Sequence, residues 1–455
     1  MGSSRRILLL VIGDIIAAVM ALAAAFYLRF KKIPSPVDIT EFGFLKILLF
    51  VLIVVFLSFM AEFYRNHSEL LKSEIAVKMG SSLGVSCFVF AILSYSLPYD
   101  SYGRGILVFA LVFFGIFQFC CHSLYRLYVK FQGFARRILI LGVGPVAGHM
   151  GALIPATDEN YVLSGFVRCS DESSHVPAST ILDASASLYE IARRERADKI
   201  VVSLSERRGV LPLQEVMACK LEGIEVLDAP SFYEQVTGKL FLEEINPSWI
   251  IFSDGFKVRN WRKIIKRGMD LFSAVTGILL TIPFLPLVFL AIKFDSPGPL
   301  LYRQERVGEK EKRFFVYKFR TMRVDAESGT GAVWASKNDE RVTRIGAFFR
   351  KSRIDELPQF YNILRGDMSM VGPRPERPEF VETLKQKIPY YSERHFVKPG
   401  VTGWAQVRYP YGASVEDALE KLRYDLYYIK NLTLAFDLMI ILETIQVVLF
   451  RRGAR

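Results

Sequence analysis

Cysteine is scarce and scattered. The 455-residue chain has five, at Cys87, Cys120, Cys121, Cys169 and Cys219, and no two form a C-x-x-C pair. This spacing excludes the common zinc motifs and a disulfide framework, and it fits soluble parts kept in a reducing compartment. Acidic charge is also in deficit. The chain has 46 Asp and Glu against 58 Lys and Arg, a net charge of +12. Such a balance seeks an anionic partner, either nucleic acid or an anionic membrane face. Apolar residues, by contrast, are abundant. They make up 51% of the chain, with 36 Phe, and the mean hydropathy is +0.26. An ordinary soluble enzyme is less apolar than this, so membrane segments are expected and nucleic acid is set aside as a partner.

Four long apolar runs come first: Ile7–Leu28, Phe44–Ala61, Ser81–Leu97 and Gly105–Leu124. Each approaches the roughly 20 residues that cross a bilayer as helix. Arg5 and Arg6 before the first run also suit a signal peptide, but the run is longer than a usual signal core, so it is read as a span. Lys and Arg are denser around Arg5, Lys72 and Arg126 than around Arg29 and Arg104. By the positive-inside rule both ends of residues 1–130 are cytoplasmic. Asp14 lies inside the first run and reads as a polar contact between helices.

Residues 136–250 read as a soluble α/β region. Arg137–Leu141, Tyr161–Cys169 and Lys199–Ser203 have strand patterns, and Ala186–Arg196 and Leu213–Leu221 have helical ones. The first strand runs into Gly142, Gly144 and Gly148, spaced G-x-G-x-x-x-G, one residue longer than a dinucleotide fingerprint. No clear ribose-binding acid ends the second strand, Asp171 being the nearest. The glycines are therefore read as a tight strand–helix turn.

Residues 271–294 form a fifth apolar segment, with Pro283 and Pro286 in its middle. Basic clusters flank both sides: Arg262, Lys263 and Lys266 before, Arg303, Arg306 and Lys310 after. Both flanks look cytoplasmic, and proline bends a helix. The expected element is a re-entrant helix that breaks at the prolines and returns to the same face. A plain kinked crossing is the competing reading. At the C-terminal end Val415–Asn431 is a charged helix, and Leu432–Phe450 is apolar with a stripe of Thr433, Asp437 and Thr444. That stripe suits a helix lying in the interface.

The residues best suited to chemistry lie at 351–375. Asp355 and Glu356 are adjacent, Arg350 precedes them, and Arg374 sits on the proline-stiffened loop Gly372–Pro375. A lone Asp-Glu pair is often just a solvated surface, and Asp355 could simply cap a helix spanning Leu357–Leu364. A helix N-terminus also favours anions. An ionised Asp there can attack phosphorus, and a neighbouring Glu can hold Mg²⁺. Two guanidiniums suit a diphosphate. Lys318 and Arg320 alternate with apolar residues on a half-buried strand and are expected on one face as further phosphate contacts. The segment Lys398–Val407 reads as a turn followed by a strand, with Trp404 in the core.

The motifs KRGMD (266–270), DSPGPLLYRQERVG (295–308), YKFRTM (317–322), DELPQ (355–359), GDMSMVGPRP (366–375) and KPGVTGWAQV (398–407) occur in one order with the proline-broken segment. Together they resemble the bacterial sugar transferase family, the monotopic polyprenyl-phosphate hexose-1-phosphate transferases. The resemblance covers about 260–455, and the N-terminal regions resemble the long form of the family. It implies a membrane protein with an N-terminal four-helix transmembrane bundle (1–130) and a Rossmann-like α/β middle domain (136–250). A C-terminal α/β monotopic catalytic domain (260–455) with re-entrant helix 271–294 completes the chain.

The implied reaction moves a hexose-1-phosphate from a UDP-sugar to undecaprenyl phosphate and releases UMP, as the first membrane step of exopolysaccharide or O-antigen synthesis. By resemblance Asp355 carries a covalent phosphosugar, Glu356 is linked to Mg²⁺ with Asp355 beside it, and Arg350 and Arg374 match the family's arginines. The implied location is the bacterial inner (cytoplasmic) membrane, multi-pass, with membrane lipids as partners and the catalytic domain on the cytoplasmic face. A homodimer is left open. One departure stands out: some members have Ser-Pro at the break, where this chain has Ile282-Pro283. The sequence leans to glucose or galactose over N-acetylated sugars only through the family's long members. Two other classes compete with this reading. A nucleotide-sugar oxidoreductase would need an intact fingerprint at 142–148, and a non-catalytic scaffold would not need the Asp-Glu pair.

Overall fold

A computed structural model of the chain describes residues 3–31, 44–60, 72–96, 104–131, 136–157, 161–169, 172–183, 186–204, 210–245, 255–256, 260–323, 326, 339, 341–409, 412 and 414–450. The expected ribose-binding candidate Asp171 lies outside them. The chain falls into two compact units, residues 1–200 with 204–226, and residues 227–455 with 201–203. The region expected at 136–250 is therefore divided near residue 227.

In the first unit the four apolar runs, apart from Ala61 and Leu97, which lie outside the described residues, fall on helices α1 (Ser3–Phe30), α2 (Phe44–Met60), α3 (Lys72–Ser96) and α4 (Arg104–Phe131). Leu8–Phe30 and Gly105–Tyr125 are long and apolar enough to cross a membrane; Phe44–Met60 and Ser82–Ala91 are shorter apolar helices. Ala17, Ala18, Ala21 and Ala25 of α1 pack against Leu107, Ala110, Leu111 and Phe114 of α4. Small side chains let two helices approach closely where no hydrophobic effect drives them together. Asp14 is fully buried. It accepts a hydrogen bond from Gln118 Nε2 at 2.7 Å and lies 3.1 Å from His122 Nε2. Gln118 Nε2 also reaches Ser58 Oγ at 2.9 Å, so one polar knot joins α1, α2 and α4.

A five-stranded sheet is built from β1 (Arg136–Leu141), β2 (Tyr161–Val167), β3 (Ile181–Leu182), β4 (Lys199–Val202) and β5 (Glu225–Asp228); residues 201–202 of β4 and 227–228 of β5 are counted with the second unit. Their order is β3-β2-β1-β4-β5, with β1–β2 and β2–β3 parallel. This is the doubly wound arrangement of a Rossmann-like sheet. Between the strands run α5 (Pro145–Thr157), α6 (Leu188–Arg194), started by a capping box at Ser187, and α7 (Leu213–Leu221). Ile138 to Leu141 are fully buried, as a strand covered on both faces requires.

Residues 227–245 belong to the second unit. Helix α8 (Ala229–Thr237) is capped by Asp228. Glu234 takes Lys430 at 2.5 Å and Asn431 at 2.9 Å, and Lys239 pairs with Glu420. Leu240 and Ile245 enter the same apolar core as Trp404, Leu422 and Leu426.

The proline-bearing segment is helix α9 (Asn260–Thr281), a 3-10 turn at Ile282–Phe284, and helix α10 (Leu285–Asp295). Pro283 sits inside the 3-10 turn. Pro286 occupies the first turn of α10, where a missing N–H is tolerated. Over Asn260–Asp295 only 11% of the most apolar window is buried, and Phe272, Leu279, Leu280, Phe284, Leu287 and Phe294 are exposed. An exposed apolar surface of this extent is what a lipid environment accommodates.

The KRGMD motif ties this segment to the rest of the unit. Lys266 Nζ donates to Asp437 Oδ2 at 2.7 Å and to the Val371 carbonyl at 3.0 Å. Arg267 donates to the carbonyls of Ile363 and Leu364. Asp270 accepts from Ser369 Oγ and from the Met370 amide, both at 2.9 Å.

The remainder of the second unit is the antiparallel hairpin β6 (Leu301–Val307) and β7 (Arg313–Phe319), helix α11 (Arg344–Ser352), helix α12 (Gln359–Arg365), strand β8 (Ser369–Val371), helix α13 (Pro378–Lys387), strand β9 (Gly400–Thr402), and helices α14 (Trp404–Arg408), α15 (Val415–Lys430) and α16 (Leu434–Phe450). Strands β8 and β9 pair in parallel. Their close approach depends on Gly372, where a Cβ would meet the Lys398 carbonyl oxygen at 2.3 Å.

Two local expectations change. Residues 404–408 are helix rather than strand, since Gly403 is extended and its carbonyl accepts from Val407, while Trp404 buries its ring and donates to Gly238 O at 2.8 Å. Of the stripe read as marking an interface helix, Asp437 and Thr444 turn toward the protein, while Thr433, just before α16, is exposed. Asp437 accepts from Tyr428 and Lys266, and Thr444 Oγ1 meets Thr402 Oγ1 at 2.6 Å. Leu438 is exposed. A helix whose polar groups are spent inward has an outer surface suited to lipid.

Candidate active site

Three elements meet at the adjacent carboxylates. Strand β7 delivers Lys318. Helix α11 ends at Arg353, which takes a left-handed backbone (φ 60°), and the chain turns directly into a 3-10 helix, Ile354–Glu356. The loop between β8 and α13 delivers Arg374. Asn362 of α12 locks this geometry, accepting from the Tyr317 amide at 3.2 Å and donating to the Phe315 carbonyl at 2.7 Å. A left-handed arginine costs about 1–3 kcal/mol of backbone strain, typical of functional turns.

Asp355 and Glu356 are both buried, at 6% and 7% exposure. Glu356 Oε1 gathers three cations: Arg374 Nη2 at 2.6 Å, Lys318 Nζ at 3.3 Å and Arg353 Nη1 at 3.4 Å. Burial pushes its carboxyl upward, but Arg374, Lys318 and Arg353 outweigh burial and hold it far below the usual range. Asp355 behaves oppositely. Burial, and then the charge of Glu356, raise its carboxyl above the usual value, against the pull of Lys318, Arg374 and Arg350. Its Oδ1 is buried without a hydrogen-bond partner. The alternative role as a helix cap does not hold: α12 starts at Gln359, the residue before it is Pro358, and no side chain caps it. A desolvated carboxylate with a free oxygen is a poised nucleophile.

Of the expected phosphate contacts, Lys318, Arg350 and Arg374 lie around the pair and Arg320 does not. Arg350 Nε donates to Thr321 Oγ1 at 2.9 Å. Arg320 turns away. Strand β7 ends at Phe319, so the alternation that would align residues 318 and 320 stops there. The Arg320 guanidinium donates to the carbonyls of Pro297 (2.9 Å) and Ser296 (2.5 Å). It pins the DSPGP turn after α10.

Sequence reasoning missed several participants. Gln406 Oε1 accepts from Arg374 Nη1 at 3.0 Å; it stands in the KPGVTGWAQV motif but was hidden by the strand reading. Arg353 was visible beside Asp355 without an assigned role. Arg394 donates to the Arg374 carbonyl at 3.0 Å and pairs with Asp425 at 2.8 Å, both almost fully buried. Burial pushes Asp425 up to about 6, against Arg394.

This pair positions the loop that carries Arg374. Arg394→Met leaves Asp425 buried and unpaired, which is expected to cost about 3–5 kcal/mol of stability. Adding Asp425→Asn should restore most of the melting temperature but not activity, because the Arg374 carbonyl still lacks its donor. Melting temperature and turnover measured on both variants check this. Full recovery of both by the double variant would refute a positioning role.

The glycine turn at 142–148 is a separate place in the first unit. Gly142 adopts φ 123°, a conformation that side chains disfavour. The Val143 amide donates to Glu172 Oε1 at 2.9 Å, and a Cβ on Gly148 would meet the His175 carbonyl oxygen at 2.9 Å. The protein's own carboxylate thus occupies a turn amide that could otherwise face a phosphate.

Among the described residues no cluster of three or more His, Cys, Asp or Glu side chains is suited to hold a metal. The donors at this site are two adjacent carboxylates, one with an unpartnered oxygen. Such a set fits Mg²⁺, which commonly takes one or two carboxylates and completes its shell with substrate phosphates and water.

Residues 261–451 match the family described as Bacterial sugar transferase. Over 187 residues the chain is 42% identical to the exopolysaccharide production protein PSS of Rhizobium leguminosarum bv. phaseoli, covering 40% of this chain and 94% of that protein. The chain belongs to the bacterial sugar transferase family. It is also 42% identical over 261 residues to a UDP-N-acetylgalactosamine-undecaprenyl-phosphate N-acetylgalactosaminephosphotransferase of Aeromonas hydrophila, covering 57% of this chain and 61% of the relative. It is 33% identical over 327 residues to an undecaprenyl-phosphate glucose phosphotransferase of Komagataeibacter xylinus, covering 70% of this chain and 60% of the relative. The alignments span about three fifths of these two longer relatives. The family match begins within α9 and ends beyond α16, so it takes in the carboxylate pair, the arginines and the KRGMD clamp.

Proposed function

We propose that this chain transfers a hexose-1-phosphate from a UDP-sugar to undecaprenyl phosphate and releases UMP. The observation that carries the reading is the buried Asp355, with a free carboxylate oxygen, beside a Glu356 that concentrates Arg374, Lys318 and Arg353. Asp355 Oδ attacks the sugar-bearing phosphorus of the donor. The bond from that phosphorus to the bridging oxygen breaks, and UMP departs with the bonding electrons. An oxygen of the lipid phosphate then attacks the same phosphorus and frees the Asp355 carboxylate, leaving a lipid-diphosphate sugar. Glu356 keeps Arg374, Lys318 and Arg353 charged and in place around the phosphoryl group, and Arg350 adds charge from α11. Mg²⁺ held by Asp355 and Glu356 would neutralise donor phosphate charge.

Topology supports the same reading. A UDP-sugar is cytosolic and a lipid phosphate sits at headgroup level, so the site must touch the inner membrane face. The 3-10 break at Pro283 and the basic flanks fit a re-entrant α9–α10 that leaves residues 296–455 on the cytoplasmic side. Helices α1–α4 fit a transmembrane bundle with both ends on that side. The relatives' names divide between glucose and N-acetylgalactosamine, so both sugar classes are candidate donors. The direct test is UMP release by the purified full chain, given undecaprenyl phosphate and a panel of UDP-sugars. Release should need both substrates for sustained turnover and stop on chelation of Mg²⁺. No release from any UDP-sugar would sink the reading.

A pH prediction follows from the two carboxylates. The attacking Asp355 must be ionised, so activity rises with pH through its raised folded value, above the ordinary 3.8. Glu356→Gln removes the second-largest upward push on Asp355. The variant should turn over more slowly, and the acid limb of its rate profile should move to lower pH. A limb that stays put or moves up would show that Asp355 is not the titrating group.

A further inference from the structure

The carboxamide of Gln406 is engaged on one side only. Its Oε1 accepts from Arg374 Nη1 at 3.0 Å. A guanidinium has N–H donors and no acceptor, so the oxygen must face Arg374 and the NH2 group must face away. That Nε2 is buried and has no hydrogen-bond partner among the described residues. Buried polar groups are nearly always paired, because an unpaired one loses its hydration and gains nothing in exchange. A donor left over in this way needs an acceptor from outside the chain.

Its place is fixed from two sides. Helix α14 is held at its start by Trp404, which donates to Gly238 O at 2.8 Å. The carboxamide lies close to the backbone where the Gly372–Pro375 loop begins: a Cβ on Gly403 would meet Gly372 O at 2.2 Å and Gln406 Nε2 at 3.8 Å. Arg374 then bridges Gln406 to the carboxylate pair, since its Nη2 donates to Glu356 Oε1 at 2.6 Å. The Arg374 charge also acts on Asp355, where it opposes the upward push of burial.

The surroundings select the acceptor. Arg374, Lys318 and Arg353 all lie within 3.4 Å of one Glu356 oxygen. So many cations favour an anionic oxygen over a sugar hydroxyl. A phosphoryl group carries several such oxygens, so one can meet a cation while another meets the carboxamide. The unpartnered Asp355 Oδ1 is the complementary group, a nucleophile for the phosphorus that bears those oxygens.

We propose that Gln406 Nε2 donates a hydrogen bond to a non-bridging oxygen of the donor phosphoryl group that Asp355 attacks. The assignment rests on the transferase reading above. A fixed neutral donor aimed at oxygens that carry charge in the transition state assists the step without having to reorganise.

The test compares the wild type, Gln406→Glu and Gln406→Met in detergent-solubilised full chain. Single-turnover UMP release from a UDP-sugar without lipid, steady-state turnover with undecaprenyl phosphate, and the melting temperature are measured on each. Gln406→Glu keeps an acceptor for Arg374 but has no donor, whereas Gln406→Met loses both. The expected result is a fall of about 100-fold in single-turnover release for both variants, with the melting temperature of Gln406→Glu at or above that of the wild type. Near-normal release by Gln406→Glu with a slow Gln406→Met would overturn the assignment, because Gln406 would then act only by holding Arg374. Near-normal release by both would overturn it too. A loss confined to the lipid-dependent step would do the same, by moving the contact to the lipid phosphate. Should Gln406→Glu melt early, a structure of Asp355→Asn soaked with the UDP-sugar decides: Nε2 should lie within about 3.2 Å of a phosphate oxygen, and any other partner, or none, overturns the assignment. Absence of wild-type UMP release from every UDP-sugar overturns the transferase reading and this contact with it. Wild-type release with an unimpaired Gln406→Glu overturns the contact only.

Discussion

Asp355→Asn is expected to eliminate sugar-phosphate transfer, with a loss of at least about 1,000-fold, while the chain still folds and inserts. The amide is nearly isosteric with the carboxylate but cannot form an acyl-phosphate. The structure gives a reason to expect normal folding. Asp355 Oδ1 has no hydrogen-bond partner and burial disfavours the charged form there, so removing the charge relieves desolvation rather than breaking a contact. The melting temperature of Asp355→Asn should equal or slightly exceed that of the wild type. Near-normal turnover in this variant would rule out the covalent route, and a collapsed melt would show that Asp355 is structural.

The second large effect concerns the break between α9 and α10. In a helix interior each proline costs about 3 kcal/mol relative to good helix formers. Replacing Pro283 and Pro286 with Leu should therefore let residues 260–295 run as one helix. Thirty-six residues at 1.5 Å each give about 54 Å, more than the ~30 Å apolar core of a bilayer. The variant is expected to cross the membrane fully, carry Asp355 to the outer side and lose activity. Single cysteines placed before residue 266 and after residue 300 report this with an impermeant reagent added from outside. Neither should label in the wild type, and the later one should label in the double variant. Outside labelling of the later site in the wild type would make the segment an ordinary span.

Much of the architecture could be read from the residues because it depends on local patterning. The helical patterns at Leu213–Leu221 and Ala186–Arg196 needed no tertiary information, and neither did the apolar runs on α1 to α4. The stop of α12 at Gly366, in left-handed geometry, belongs to the same class. The site was legible as a set of side chains: Asp355, Glu356, Lys318, Arg350 and Arg374 do converge.

What failed depended on contacts distant in sequence. Arg320 follows the strand alternation on paper, but β7 ends one residue earlier and the DSPGP turn captures its guanidinium. The stripe at Thr433, Asp437 and Thr444 reads as the polar side of an interface helix; Lys266 and Tyr428, far apart in sequence from each other, draw Asp437 into the protein instead. Residues 404–408 carry strand-forming Trp and Val, yet burial of Trp404 against the 229–245 segment favours a helix. The Arg394–Asp425 pair has no sequence signature, because its elements meet only in the folded core.

The central claim is a phosphosugar covalently held on Asp355, and intact-protein and peptide mass spectrometry test it directly. The purified chain is mixed with a UDP-sugar it turns over, without lipid acceptor, and quenched in acid. The account predicts a mass gain of one hexose phosphate, localised to the peptide containing Asp355, with UMP released in equal amount and no gain in Asp355→Asn. UMP appearing only when undecaprenyl phosphate is present, with no adduct on any peptide, would contradict it.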